Sequence, residues 1–285
     1  MTRTLDQVIT SIPTSDGAGV KLRRSLGSTQ HLRLDPFLML DEFGTDRAED
    51  YIAGFPSHPH RGFETVTYML DGHMLHQDHM GNRGDLRSGD VQWMSAGRGI
   101  IHSEMPQQES GRMRGFQLWI NLPAKEKMKP AAYQDIPAAK IPVVMLGNGA
   151  KVKVIAGTLE ADGKLTKGPI NGDKRTSTDP LYFDVELPAN GRFEHAVKKD
   201  YNAFLYVFEG DAKVGDKKVP RFSAGILSHG DRIEASAGEN GARFILLAGK
   251  PLREPVVQYG PFVMNTREEI EQALLDYQNG ELASA

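Results

Sequence analysis

Two stretches of this chain read as the same unit. "TVTYMLDG" (65–72) and "AFLYVFEG" (203–210) are both alternating runs that end in an acidic residue and glycine. Each is followed by a Gly-containing segment and another strand, "SGDVQWMSAG" in the first half and "SAGILSHGDRI" in the second. Alternation over about 4–8 residues marks a half-buried strand, and self-similarity at a distance marks one structural unit used twice. At 285 residues the chain has reached the length at which one core stops growing and a second domain is expected. Thirty Gly and sixteen Pro, scattered rather than clustered, supply turns between short strands. The expected fold is all-β, with two copies of one antiparallel unit, the second diverged.

Further strands fit this frame. "FETVTYML" (63–70) is followed by Asp71-Gly72, a hairpin signal. "MRGFQLWINL" (113–122) places Phe116, Leu118 and Ile120 on one face. "KVKVIAGTLE" (151–160), "LYFDVELP" (181–188) and "ARFILLAG" (242–249) favour strands in the second half. Between Pro123 and Pro142 four prolines interrupt the text and block regular structure. The expected domains are therefore 1–130 and 143–285, joined by a linker at 131–142. One helix is expected near the end, where Thr266 and Glu269 have capping-box spacing. Ile270, Ala273, Leu274 and Tyr277 form its apolar stripe, and Gly280 stands where a C-terminal cap belongs.

Composition excludes several classes. A net charge of -3, with Lys and Arg spread along the chain, gives no footprint for direct nucleic-acid binding. There is no cysteine, so disulfides, thiolate ligands and a cysteine nucleophile are ruled out. The N-terminus lacks the apolar core of a signal peptide, and no apolar run approaches the length of a membrane span. A cytoplasmic monomer without membrane contact is expected.

The candidate chemistry lies in "SHPHRGFE" (57–64) and "AGRGIIHSEMP" (96–106). A lone H-x-H is weak, since nine histidines in a chain of this length supply about 0.3 such pairs by chance. His102 and Glu104, however, repeat the spacing of His58 and His60. Residues i and i+2 of a strand share a face, so neighbouring strands would bring two imidazoles, a third imidazole and a carboxylate to one point. Three nitrogens and one oxygen suit Fe, Zn, Cu, Ni, Mn or Co, and the lack of thiolate disfavours a structural zinc site. Four ligands of an octahedral ion leave two positions open. Gly97 and Gly99 permit a tight turn before the second pair.

"FPSHPHRGFETVTYMLDG" followed by "GDVQWMSAGRGIIHSEMP" resembles the signature of the pirin family of cupins. "LDPFLMLDEFG" (34–44) and "EPVVQYGPFVMNTREEIEQALLDYQNG" (254–280) resemble it too, so the likeness covers most of the chain. It implies a bicupin: two antiparallel β-barrels face to face, with one divalent metal ion, usually Fe(II), in the N-terminal barrel. The metal ligands of pirins match His58, His60, His102 and Glu104. The general cupin pattern would also offer Glu64, which is expected instead to support a ligand by hydrogen bonding. His73, His76 and His79 are expected in a solvated hairpin loop. His195 and His229 have no ligand companion, so the second barrel is expected to be metal-free.

The resemblance implies two function classes. One is a quercetin 2,3-dioxygenase-like enzyme that opens a flavonol ring with O2 and releases carbon monoxide. In it Glu104 would accept the substrate proton, and Trp93, Met94, Phe116 and Leu118 are candidates for a pocket wall. The other is a metal- or redox-sensing regulator that binds a protein partner. Cupins also host metal-dependent sugar isomerases, an analogy of fold alone.

Overall fold

The computed structural model describes residues 1–29, 31–171 and 176–283. They form two compact units that are interleaved in sequence. One comprises residues 13–27, 37–138 and 252–285, and the other 1–12, 28–36 and 139–251. The expected division at 131–142 is thus corrected at both ends of the chain. Leu5–Thr10 pairs with Ser223–Leu227, and the C-terminal helix packs within the unit that carries His58 and His102. The linker also needs correction, because Ala132–Ile136 is a strand paired with Val91–Ser95. Pro130 and Pro137 flank that strand instead of interrupting it, where their missing N–H groups cost no ladder bonds.

Apart from one edge strand, the two units repeat one strand order. The first has a seven-stranded sheet: Ala132–Ile136, Val91–Ser95, Phe63–Asp71, Met113–Asn121, Phe37–Thr45, Val20–Arg24 and Ile12–Asp16. In the second unit the path runs Leu5–Thr10, Ser223–Leu227, Asn202–Val214, Arg232–Gly249, Leu181–Leu187, Lys151–Ala156 and Val143–Met145. The strands "TVTYMLD" and "AFLYVFE" occupy the same place in each, flanked by the next strand on one side and a later one on the other. The internal repeat is therefore a repeat of topology.

A four-stranded sheet completes the first unit, in the order Phe55–His60, Ile100–Pro106, His73–Asp78 and Arg83–Arg87. Asp71-Gly72 does not close a hairpin, contrary to its sequence signal. Phe63–Asp71 belongs to the larger sheet and His73–Asp78 to the smaller. Gly72, at a φ of 110°, turns the chain from one sheet to the other. The two sheets share a core that includes Leu22, Phe43, Met69, Met74 and Leu86. On Met113–Asn121, Phe116, Leu118 and Ile120 are fully buried on one face, each such side chain contributing ~1.5–3 kcal/mol.

The helix spans Arg267–Gln278. Thr266 Oγ1 accepts from the Glu269 N–H at 3.2 Å, and Glu269 Oε2 accepts from the Thr266 N–H at 3.0 Å. Ile270 and Ala273 are buried against Phe262 and Met264, Leu274 is half-buried, and Tyr277 stays exposed. Gly280 follows the Asn279 cap with a φ of 74°. No helix among the described residues is long and apolar enough to cross a membrane.

His195 lies in the second unit between Phe183 and Phe193, with ring centroids 5.0 and 6.3 Å away. Burial pushes its imidazole down to about 4 from an ordinary 6.5. The unfolded chain therefore binds more protons between those two pH values, and stability falls as pH drops through that window, by up to about 3 kcal/mol. His195→Gln should remove this part of the acid sensitivity. Urea unfolding at pH 7 and pH 4.5 should show a smaller loss of stability in the variant than in the parent protein.

Candidate metal centre

The two i, i+2 pairs lie on adjacent antiparallel strands. Phe55–His60 pairs with Ile100–Pro106 so that His58 faces His102 and His60 faces Ile100. Phe55–His60 is an edge strand of its sheet, which is why Pro56 and Pro59 are tolerated within it. The turn into the second strand passes Gly97, at a φ of 51°, and Gly99. A Cβ at either position would lie 2.1 Å from a carbonyl oxygen, that of Lys129 or of Leu282. Only glycine fits.

His58, His60 and His102 come together, with ring centroids 4.3 to 4.9 Å apart. Each offers a nitrogen, and the three donor atoms lie within 4.8 Å of one another. Among the described residues this is the one group of three or more such side chains able to hold a metal ion. His58 Nδ1 donates to the Pro56 carbonyl at 2.8 Å, which leaves its Nε2 as a lone pair. That Nε2 is 3.0 Å from His60 Nε2. His102 Nε2 is buried without a hydrogen-bond partner. Burial first, and then neighbouring imidazoles, hold His60 and His102 well below the ordinary histidine range. Three imidazoles whose donor atoms converge, two of them held neutral by burial and one with a buried nitrogen that has no partner, suit a metal ion, so the residues present fit one.

Glu104 is on the same face as His102, since buried and half-buried residues alternate along its strand. Its carboxylate is not part of the three-nitrogen group. The pairing slips between His102 and Glu104, so Glu104 faces Phe55 where even register would give Pro56. It lines the same cavity as His58 and His60. Thr67 Oγ1 lies 3.2 Å from Glu104 Oε1 and 2.6 Å from Gln117 Oε1. A hydroxyl has one hydrogen for these two oxygens. With the Gln117 amide turned over, its NH2 donates to Thr67, which donates to Glu104, and both contacts have a hydrogen.

Glu64 lies elsewhere. Its carboxylate accepts from Trp93 Nε1 at 3.1 Å and has Lys129 Nζ at 3.7 Å, and neither residue is one of the three converging histidines. Burial raises its pKa. The solvated loop expected for His76 is also corrected: His73–Asp78 is a strand, and His76 is 1% exposed. Its Nδ1 is 3.2 Å from His102 Nδ1. His73 bonds Asp85, and His79 Nδ1 accepts from the Ile101 N–H at 3.3 Å. The three do not converge.

A cavity of about 580 Å³ opens on His58, His60 and Glu104. Its apolar wall is Leu22, Leu38, Phe43, Phe55, Met74 and Trp119. Trp93, Met94, Phe116 and Leu118 do not line it. Met113–Asn121 is buried on both faces, and Gln117 and Trp119 are the residues on the cavity side. Trp119 also packs edge-on to His60 at 5.3 Å. Because both faces of this strand carry large apolar residues, alternation alone does not tell the cavity side from the core side.

A family model for pirin matches residues 19–120, and one for the pirin C-terminal cupin domain matches residues 182–283. A protein of Pseudomonas aeruginosa provisionally named quercetin 2,3-dioxygenase is 54% identical over 287 residues, covering 99% of this chain and 100% of its own. Pirin of Homo sapiens is 42% identical over 271 residues, covering 93% and 89%. A crystal structure of a quercetin 2,3-dioxygenase from Acinetobacter baumannii matches with a TM-score of 0.88 at 33% identity, covering 100% of this chain and 99% of that one. The chain belongs to the pirin family, and its fold is a bicupin.

Thr67→Val keeps the side-chain shape and deletes the donor to Glu104. Metal affinity measured by titration calorimetry should fall within the roughly 10–100-fold range of changes behind a ligand, and Thr67→Ser should restore it. Unchanged affinity in the valine variant would show that the hydroxyl gives Glu104 no support.

Proposed function

We propose that this protein binds one divalent metal ion, Fe(II), through His58, His60, His102 and Glu104 and opens the ring of a flavonol with O2, releasing carbon monoxide. The observation that carries this reading is the convergence of three imidazoles, two of which line a cavity with an apolar wall. The names of the Pseudomonas and Acinetobacter relatives support the same class.

A divalent ion at the site supplies Lewis acidity toward the flavonol 3-hydroxyl and leaves positions open for reactants. The side chains do the rest. Glu104 is 5% exposed and accepts the 3-hydroxyl proton, held in place by Thr67. Trp119, Phe43, Phe55 and Leu22 enclose the flat ring system and displace water around it. A second reading is a metal-dependent regulator with a protein partner, the other class that the resemblance to pirins implies.

Metal-replete protein should consume O2 and release carbon monoxide with quercetin, and chelation should stop both. His58→Ala should lose metal and turnover together. Glu104→Gln should lose more turnover than metal, because an oxygen stays near the ion while the base is gone. If metal-replete protein consumes no O2 with any flavonol, the regulatory reading replaces the enzymatic one. A pull-down in which a partner is retained only with metal would then support it.

A further inference from the structure

The ligand strand Ile100–Pro106 has a second neighbour, His73–Asp78, which places His76 opposite Glu104 and diagonal to His102. The His76 and His102 rings are 4.7 Å apart, with their Nδ1 atoms at 3.2 Å. Two neutral imidazoles at this distance share a single hydrogen, so one Nδ1 donates and the other accepts.

The two arrangements have different consequences. If His76 donates, the hydrogen of His102 sits on Nε2, the buried atom without a partner. That nitrogen then has no lone pair for a cation. If His102 donates, its Nε2 is free to ligate, and the remaining hydrogen moves to His76 Nε2, which is also buried without a hydrogen-bond partner. The Tyr133 ring lies 5.5 Å from the His76 ring at an interplanar angle of 57°. Each arrangement leaves one orphaned N–H, and only the second admits a metal ion. A buried orphan N–H costs about 1–3 kcal/mol in either arrangement, so this cost does not choose between them.

We propose that His76 is the positioning residue for His102: its Nδ1 accepts from His102 Nδ1–H and so reserves the His102 Nε2 lone pair for the metal ion. Ligand histidines commonly donate to a carboxylate or a carbonyl. Here the acceptor is a second, neutral imidazole. The inference rests on the metal-binding reading of the site and is independent of which reaction follows.

Zn(II), which is diamagnetic, is the probe. Nitrogen-15 NMR of the Zn(II)-loaded protein should show His102 protonated at Nδ1 and metal-bound through Nε2, with His76 unprotonated at Nδ1. Ligation through His102 Nδ1, or a proton on His76 Nδ1, overturns the proposal. His76→Asn keeps an acceptor near the Nδ1 position, and His76→Phe keeps a ring without one. Zn(II) affinity should fall roughly 10–100-fold in the phenylalanine variant and stay within about threefold in the asparagine variant. A folded His76→Phe variant with parental affinity contradicts the proposal. If that variant does not fold, the spectrum of the parent protein decides. If the parent protein binds no metal, the proposed function falls, and the metal-free spectrum still tests the pair. Absence of a hydrogen shared between the two Nδ1 atoms would then overturn the role of His76.

Discussion

The antiparallel pairing of Phe55–His60 with Ile100–Pro106 sets His58 directly against His102. A slip of one residue would turn His58 and His60 to the opposite face, so the surroundings of these strands are built to hold that register. Lys127 Nζ donates to the carbonyls of Gly62 and Val263 and to Asn121 Oδ1, at 2.7, 2.9 and 2.6 Å. Arg61, next to His60, forms an ion pair with Asp276 of the helix at 2.6 Å. Both contacts tie the segment after His60 to residues 261–276. Residues 261–276 thus brace the strand that carries His58 and His60.

A second constraint is the polar row across the larger sheet. Thr67 pairs with Gln117, Gln117 with Asp41, and Asp41 with Arg24, each directly opposite the next. Paired residues share a face, so these four line the cavity beside its apolar wall. Arg24 holds Asp41 with two hydrogen bonds, at 2.8 and 2.7 Å. Burial still pushes Asp41 up to about 6. Polar groups buried at that cost are satisfied here by one another, and the row ends at Glu104 through Thr67.

Much of this site was legible in the sequence, and the physics says which part. The i, i+2 spacing of His58 with His60 and of His102 with Glu104 is a local property of strands, whereas the adjacency of the two strands was a condition that the pairing of His58 with His102 meets. The capping box at Thr266 and Glu269 is local in the same way. What escaped depended on pairing at a distance. Asp71-Gly72 has hairpin chemistry, yet the partners of its flanking strands are Arg114 and Arg87, in different sheets. His76 reads as a loop residue until Glu104 is known to be its cross-strand neighbour. Leu5–Thr10 carries no mark of its pairing with residues more than two hundred positions away.

The central claim is that a metal ion is held by imidazoles from these two strands. X-ray absorption at the metal edge, on protein loaded with one equivalent of Fe(II), tests it most directly. The account predicts the multiple-scattering pattern of three imidazole ligands, falling to two in His102→Ala. A shell of oxygen atoms without imidazole scattering would contradict it.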